Sequence, residues 1–106
     1  MQVFELKNAE GEVTAFEISN SFMGSGSIAR FIKRCEGCDV TSVRKLFQSD
    51  DVHVHFIFED QAFTVSEPHG ESSRLVIAPV EITEDAMAVI HWLMKSVAAT
   101  PFFKFY

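Results

Sequence analysis

The alternation of apolar and polar side chains changes period several times along the chain, and each change marks an element. Val3 to Lys7 and Val13 to Ile18 alternate loosely, and the turn-forming cluster Asn8-Ala9-Glu10-Gly11 lies between them. Such a pattern predicts a β-hairpin, with Phe4, Leu6, Phe16 and Ile18 expected on one face. The stretch from Ser19 to Ser27 is polar and carries two glycines, which reads as a loop. Ile28, Phe31, Ile32 and Cys35 then recur at helical spacing, so a helix is predicted with Ser27 as its cap and Gly37 at its end.

From Val40 to Ile82 the composition turns to β-branched and aromatic residues broken by short polar clusters. Four strands are predicted there, over 40–47, 52–58, 61–66 and 74–80, the second and third joined by a tight turn at Glu59-Asp60. Leu75-Val76-Ile77-Ala78 is apolar at consecutive positions, so its strand should be central or covered on both sides, and Pro79 should mark its end or a bulge. The segment 67–73 reads as an exposed loop. Thr83 is placed to cap a final helix running to about Ala99, with Glu84 and Asp85 at the positive end of its dipole. Ala86, Val89, Ile90, Leu93, Met94 and Val97 form one apolar arc of that helix, and His91, Trp92, Lys95 and Ser96 fall outside it. The order β-β-α-β-β-β-β-α predicts an α+β fold: a mainly antiparallel sheet of about six strands with two helices packed on one face, in a single domain over 1–106.

Composition supports one core. The 106 residues are 47% hydrophobic and 23% charged, which is ordinary for a folded domain of this size. Eleven phenylalanines stand against one tyrosine and one tryptophan, and a phenyl ring needs no polar partner when buried, so most of these rings belong inside. Nine Lys and Arg against fifteen Asp and Glu give a net charge of -6. That balance opposes nonspecific attraction to nucleic acid or to an anionic membrane. A basic cluster, Arg30, Lys33, Arg34, Arg44 and Lys45, interrupts it, but the nearby aromatic residues Phe31 and Phe47 fit core positions, so nucleic acid is not an expected partner. The first residues lack a signal-peptide pattern, and no stretch reaches the ~20 apolar residues of a membrane span, so a soluble cytoplasmic protein is expected. Two cysteines are too few for a disulfide framework, and no cofactor is called for.

One constellation carries candidate chemistry. Cys35-Glu36-Gly37-Cys38 precedes His53-Val54-His55, and thiolates with imidazoles are the preferred ligands of zinc. Residues two apart on a strand point to the same side about 6.6 Å apart, so His53 and His55 are expected together on the polar face of their strand. Cys35, on the apolar stripe of its helix, should face the core. The metal candidate therefore reduces to Cys38, His53 and His55, meeting between molecules. A thioredoxin-like role is disfavoured because the pair lies at a helix C-terminus, where the dipole opposes a thiolate.

The loop Gly24-Ser25-Gly26-Ser27 opens into a helix bearing Arg30 and Arg34, which makes these residues an anion-binding candidate, although neither a P-loop nor a dinucleotide fingerprint is present. His69 and His91 belong to no catalytic pattern, and no catalytic residue is assigned. Trp92, on the polar side of the last helix among small residues, and the aromatic tail with Phe102, Phe103, Phe105 and Tyr106 are interface candidates. The expected function is protein contact by a noncatalytic adaptor or regulatory module that self-associates as a homodimer. The alternatives are a small-molecule or anion binder using the 24–34 loop and helix start, and a metal-binding protein using Cys38, His53 and His55.

Overall fold

Eight elements follow one another in the predicted order in the computed structural model, which describes residues 1–45, 51–68 and 73–102. They are β1 (Val3–Lys7), β2 (Val13–Ser19), α1 (Ser25–Arg34), β3 (Cys38–Val43), β4 (Val52–Phe58), β5 (Gln61–Ser66), β6 (Arg74–Pro79) and α2 (Glu84–Ala99). The strands form one antiparallel sheet in the order β1-β2-β6-β5-β4-β3. The protein is thus an α+β fold of six strands and two helices. β6 lies inside the sheet between β2 and β5, as its doubly apolar sequence required, and ends at Pro79.

Local chemistry explains the turns. Asn8 Oδ1 accepts from the backbone N–H groups of Glu10 and Glu12 at 3.0 and 2.9 Å, an arrangement that holds the first hairpin closed. At the β4–β5 turn, Glu59 and Asp60 both adopt positive φ, 51° and 61°, the geometry whose twist matches the flanking strands. Thr83 caps α2 by accepting from the Ala86 N–H at 3.1 Å. The α1 cap departs from expectation. The helix begins at Ser25, its N-cap is Gly24 at φ 97°, and Ser27 is buried inside the first turn instead of capping it. Only glycine enters this backbone region readily, which moves the start of the helix three residues upstream of the predicted start at Ile28.

Both helices pack on one face of the sheet, α1 over β3 and β4, and α2 mainly over β2 with contacts to β1 and β5. Phe16, Ile18, Val54, Phe56, Phe63, Val65, Leu75 and Ile77 point into this layer and are fully buried. They meet Ile28, Phe31 and Ile32 of α1 and Ile90, Leu93 and Val97 of α2. The first hairpin corrects one expectation. Val3 pairs with Ile18 and Phe4 with Glu17, so Phe16 and Ile18 face the helices while Phe4 and Leu6 point to the opposite side. Directly opposed residues share a face, and the register pairs even-numbered residues of β1 with odd-numbered ones of β2.

Three of the five strand pairings contain a register shift. Thr14 is the extra residue on β2 against β1, Thr41 on β3 against β4, and His53 on β4 against β5. The last shift has a chemical effect: a bulge places consecutive residues on the same side. His53 consequently turns inward beside Val54 and is 3% exposed, while His55 stays on the outer face and is exposed. β3 begins at Cys38 and ends at Val43, so the 46–47 end of its predicted span lies outside the described residues.

Candidate functional site

The face of the sheet turned away from the helices is uncovered. Phe4, Leu6, Ala15, Glu17, Val52, His55, Ile57, Ala62, Thr64, Ser66, Arg74, Val76 and Ala78 lie on it by register, and none of them is buried. An antiparallel sheet with one solvated face ordinarily alternates apolar inward with polar outward. Here the outward positions include Leu6, Ala15, Ile57, Val76 and Ala78, with Val76 and Ala78 on the interior strand β6. Glu17 and Arg74 form an ion pair at 3.3 Å, and the Arg74 guanidinium stacks over the Phe4 ring at 3.6 Å from its centroid. Both charges are thereby held flat against the sheet beside Val76, whose direct neighbours on the adjoining strands are Glu17 and Ser66, while Leu6, Ala15, Ile57 and Ala78 supply the rest of the apolar part of this face.

On the helix side, the β4 bulge brings three polar residues from separate elements into line. His53 Nε2 lies 2.8 Å from Glu67 Oε1, and His53 Nδ1 lies 2.6 Å from Ser25 Oγ. Proton positions follow from the chemistry of the partners. A carboxylate only accepts, so Nε2 carries the hydrogen, Nδ1 of the neutral ring is left with its lone pair, and the Ser25 hydroxyl donates to it. Glu67 is held beside β4 because its N–H donates to the Asp51 carbonyl at 2.9 Å. The sequence gives almost no sign of this line. His53 reads as an outward strand residue until the bulge is seen, and Glu67 reads as loop; only the placement of Ser25 between two glycines at a helix start was visible.

The metal candidates do not converge. His53 points inward to Ser25 and Glu67, His55 points outward, and Cys38 pairs with Phe58 at the far end of β4. The expectation that the two histidines share a face fails on the bulge. Among the described residues, no group of three or more metal-ligating side chains comes together. The cysteines meet each other instead. Cys35 is buried, Cys38 is half-buried, and a tight turn joins them through Cys38 N–H to the Cys35 carbonyl at 3.2 Å. The Cys35 thiol donates to the Phe31 carbonyl at 3.5 Å. The neighbouring Cys38 thiol is the main influence drawing Cys35 below the usual thiol range despite burial, with help from Thr100 and Arg34. The proximity of Cys35, together with burial, pushes Cys38 well above that range.

The anion candidates divide between the two ends of α1. Gly24, Ser25, Gly26 and Ser27 form its start, and Arg30 Nη1 reaches back to lie 3.6 Å from where a Cβ on Gly26 would stand. Arg34 is at the other end, donating to the Pro101 carbonyl and stacking on Phe31 at 5.8 Å. Of the interface candidates, Trp92 is 59% exposed beside Glu36, Gly37, Phe58 and Ser96. Phe102 packs edge-on against Phe22, with centroids 4.8 Å apart. Phe103, Phe105 and Tyr106, like His69, lie outside the described residues. No helix among the described residues is long and apolar enough to cross a membrane.

No family model, curated protein or solved structure matches the chain.

Proposed function

We propose that the protein acts by protein contact, as a cytoplasmic homodimer in which two copies bring their uncovered sheet faces together. The observation that carries this reading is the uncovered sheet face, on which Leu6, Ala15, Ile57, Val76 and Ala78 stand half-exposed at positions where a lone antiparallel sheet would present polar side chains. Size supports it. Six strands spaced ~4.8 Å apart, each with about five residues rising ~3.3 Å, present a face of roughly 500 Å². Two such faces reach the ~1,000 Å² of a specific interface, and two sheets stacked ~10 Å apart form an ordinary sandwich. Charge supports a second copy over a basic partner. Although the chain carries -6, the Glu17 and Arg74 pair neutralises the middle of the face, and the exposed Asp39, opposite Ile57 on the edge strand β3, lies at its margin, so like faces meet without repulsion at their centre.

The test is the mass in solution by light scattering or sedimentation at micromolar concentration. The expected value is twice the 11.9 kDa of the chain. Val76→Lys should give the monomer, because Glu17, directly opposite, is already paired with Arg74, and an added ammonium at the centre of the face costs several kcal/mol to bury. Trp92→Ala, on the helix side, should leave the dimer intact. Added salt should strengthen association by screening the net charges of the two copies. A monomeric wild type, or a dimer that survives Val76→Lys, refutes the reading.

A further inference from the structure

The geometry points to Ser25 as a nucleophile, activated by His53 and Glu67, that accepts acyl groups from carboxylic esters or thioesters; we propose this as an activity independent of the dimer. A serine hydroxyl becomes nucleophilic when a base takes its proton and an acid holds that base in the right tautomer. All three parts are present and within hydrogen-bond reach, with the two ring nitrogens exchanged relative to the usual triad: Ser25 Oγ to His53 Nδ1 at 2.6 Å, and His53 Nε2 to Glu67 Oε1 at 2.8 Å. His53 is buried, which fixes its ring, whereas Ser25 is only half-buried. A reactive group has to be reachable. Gly26 is exposed beside the serine, and a Cβ added to Gly24 would meet nothing within 4 Å, so the approach to Ser25 from this loop is open.

The position of Ser25 supplies what the three side chains lack. It is the first residue of α1, and the first α-helical bond runs from the Ile28 N–H to the Gly24 carbonyl at 3.2 Å. The N–H groups of Gly26 and Ser27 precede that bond, and no side chain caps this helix end. Such groups are the donors that stabilise negative charge developing on a carbonyl oxygen, and the helix dipole and the Arg30 guanidinium over the first turn add to the same positive potential. Gly24 at φ 97° and ψ -179° lies in a backbone region that is essentially glycine's alone, a feature that concentrates at functional sites.

The reaction balances without any external cofactor. The Oγ–C bond forms as the hydroxyl proton passes to His53 Nδ1 and the carbonyl π pair moves onto oxygen. Collapse of that adduct restores the carbonyl and breaks the bond to the leaving alkoxide or thiolate, which takes the proton from Nδ1. Water then repeats the sequence on the acyl-Ser25 ester, releasing the carboxylic acid and regenerating the serine. Glu67 remains ionised throughout and stabilises the imidazolium, so it is a positioning residue.

The test is active-site labelling of the full chain with a fluorophosphonate probe, with p-nitrophenyl acetate as the acyl donor, followed by peptide mass mapping. The expected result is one adduct, on Ser25, absent from Ser25→Ala. His53→Gln should slow labelling about 100-fold, the usual size of a lost general base. Because His53 is buried and its replacement disturbs packing, Glu67→Gln is the deciding variant: its amide carbonyl can still accept from Nε2, so the fold is kept while the charge is lost. A drop of about tenfold in labelling rate with unchanged circular dichroism supports the proposal. No Ser25 adduct in the wild type, or labelling at the wild-type rate in Glu67→Gln, overturns it, since a purely structural hydrogen-bond line would not respond to that charge.

Discussion

Alanine at Gly37 should destabilise the protein far more than alanine at Gly11, although the two glycines have nearly the same backbone conformation. Gly37 is at φ 85° and Gly11 at φ 80°, so a side chain at either position bears the left-handed penalty of about 1–2 kcal/mol. Their surroundings differ. A Cβ at Gly11 would meet nothing within 4 Å, whereas one at Gly37 would stand 2.9 Å from Phe58 Cε1 and 3.3 Å from Cδ1. Phe58 is 5% exposed and sits in β4 opposite Cys38, so its ring has no free space to enter. Overpacking of this kind adds about 1–3 kcal/mol. Gly37→Ala should therefore cost about 2–5 kcal/mol, out of the ~5–15 kcal/mol typical of a whole domain. At about 4–8 °C per kcal/mol for a chain of this length, Tm should fall by roughly 8–40 °C. Gly11→Ala should stay near the backbone penalty alone. Urea denaturation followed by circular dichroism gives both numbers, provided the m values agree. If the two variants lose the same stability within about 0.5 kcal/mol, Phe58 does not confine the Cys35–Cys38 turn and the reasoning fails.

The β4–β5 turn makes the opposite prediction. Replacing Glu59-Asp60 by Asn-Gly should stabilise the protein by about 1 kcal/mol in thermal unfolding, because both positions already hold the positive φ that Asn and Gly tolerate best; a loss would refute the turn assignment. At the cysteine pair, Cys38→Ala removes the largest influence lowering Cys35. Its thiolate, followed by ultraviolet absorbance, should then appear at higher pH than the first thiolate of the wild type. An unchanged or lower midpoint would show that Arg34 and Thr100 suffice.

Much of the architecture could be read from side-chain pattern because it rests on short-range rules. Thr83 before Glu84-Asp85 signals a capped helix start, and the doubly apolar run at Leu75 to Ala78 is compatible only with a strand inside the sheet. The first hairpin was placed correctly but its faces were not. Facing depends on whether the register pairs even with odd residues, and the length of the turn cluster does not determine that. The candidate site was less legible for the same reason. Strict alternation puts His53 outward with His55; one bulge reverses it, and the decision to form that bulge lies in tertiary contacts with Ser25 and Glu67, which are 28 and 14 residues away. Cys35 facing the core followed from helical phase alone, whereas its nearness to Cys38 depended on how the chain turns at Gly37.

The irregular pairings at the two margins of the sheet bear on how far the proposed association of copies could grow. β1 joins β2 through the shift at Thr14, and β3 joins β4 through the shift at Thr41, whose hydroxyl donates to the His55 carbonyl at 3.2 Å. A twisted, interrupted margin is a poor template for another strand. Addition strand by strand would always expose a new margin and could run on into a fibre, whereas stacking through the flat side consumes the only sheet face the helices leave open. The proposed self-association would therefore be self-limiting: it would end at a pair, and higher concentration should fill that pair without extending it.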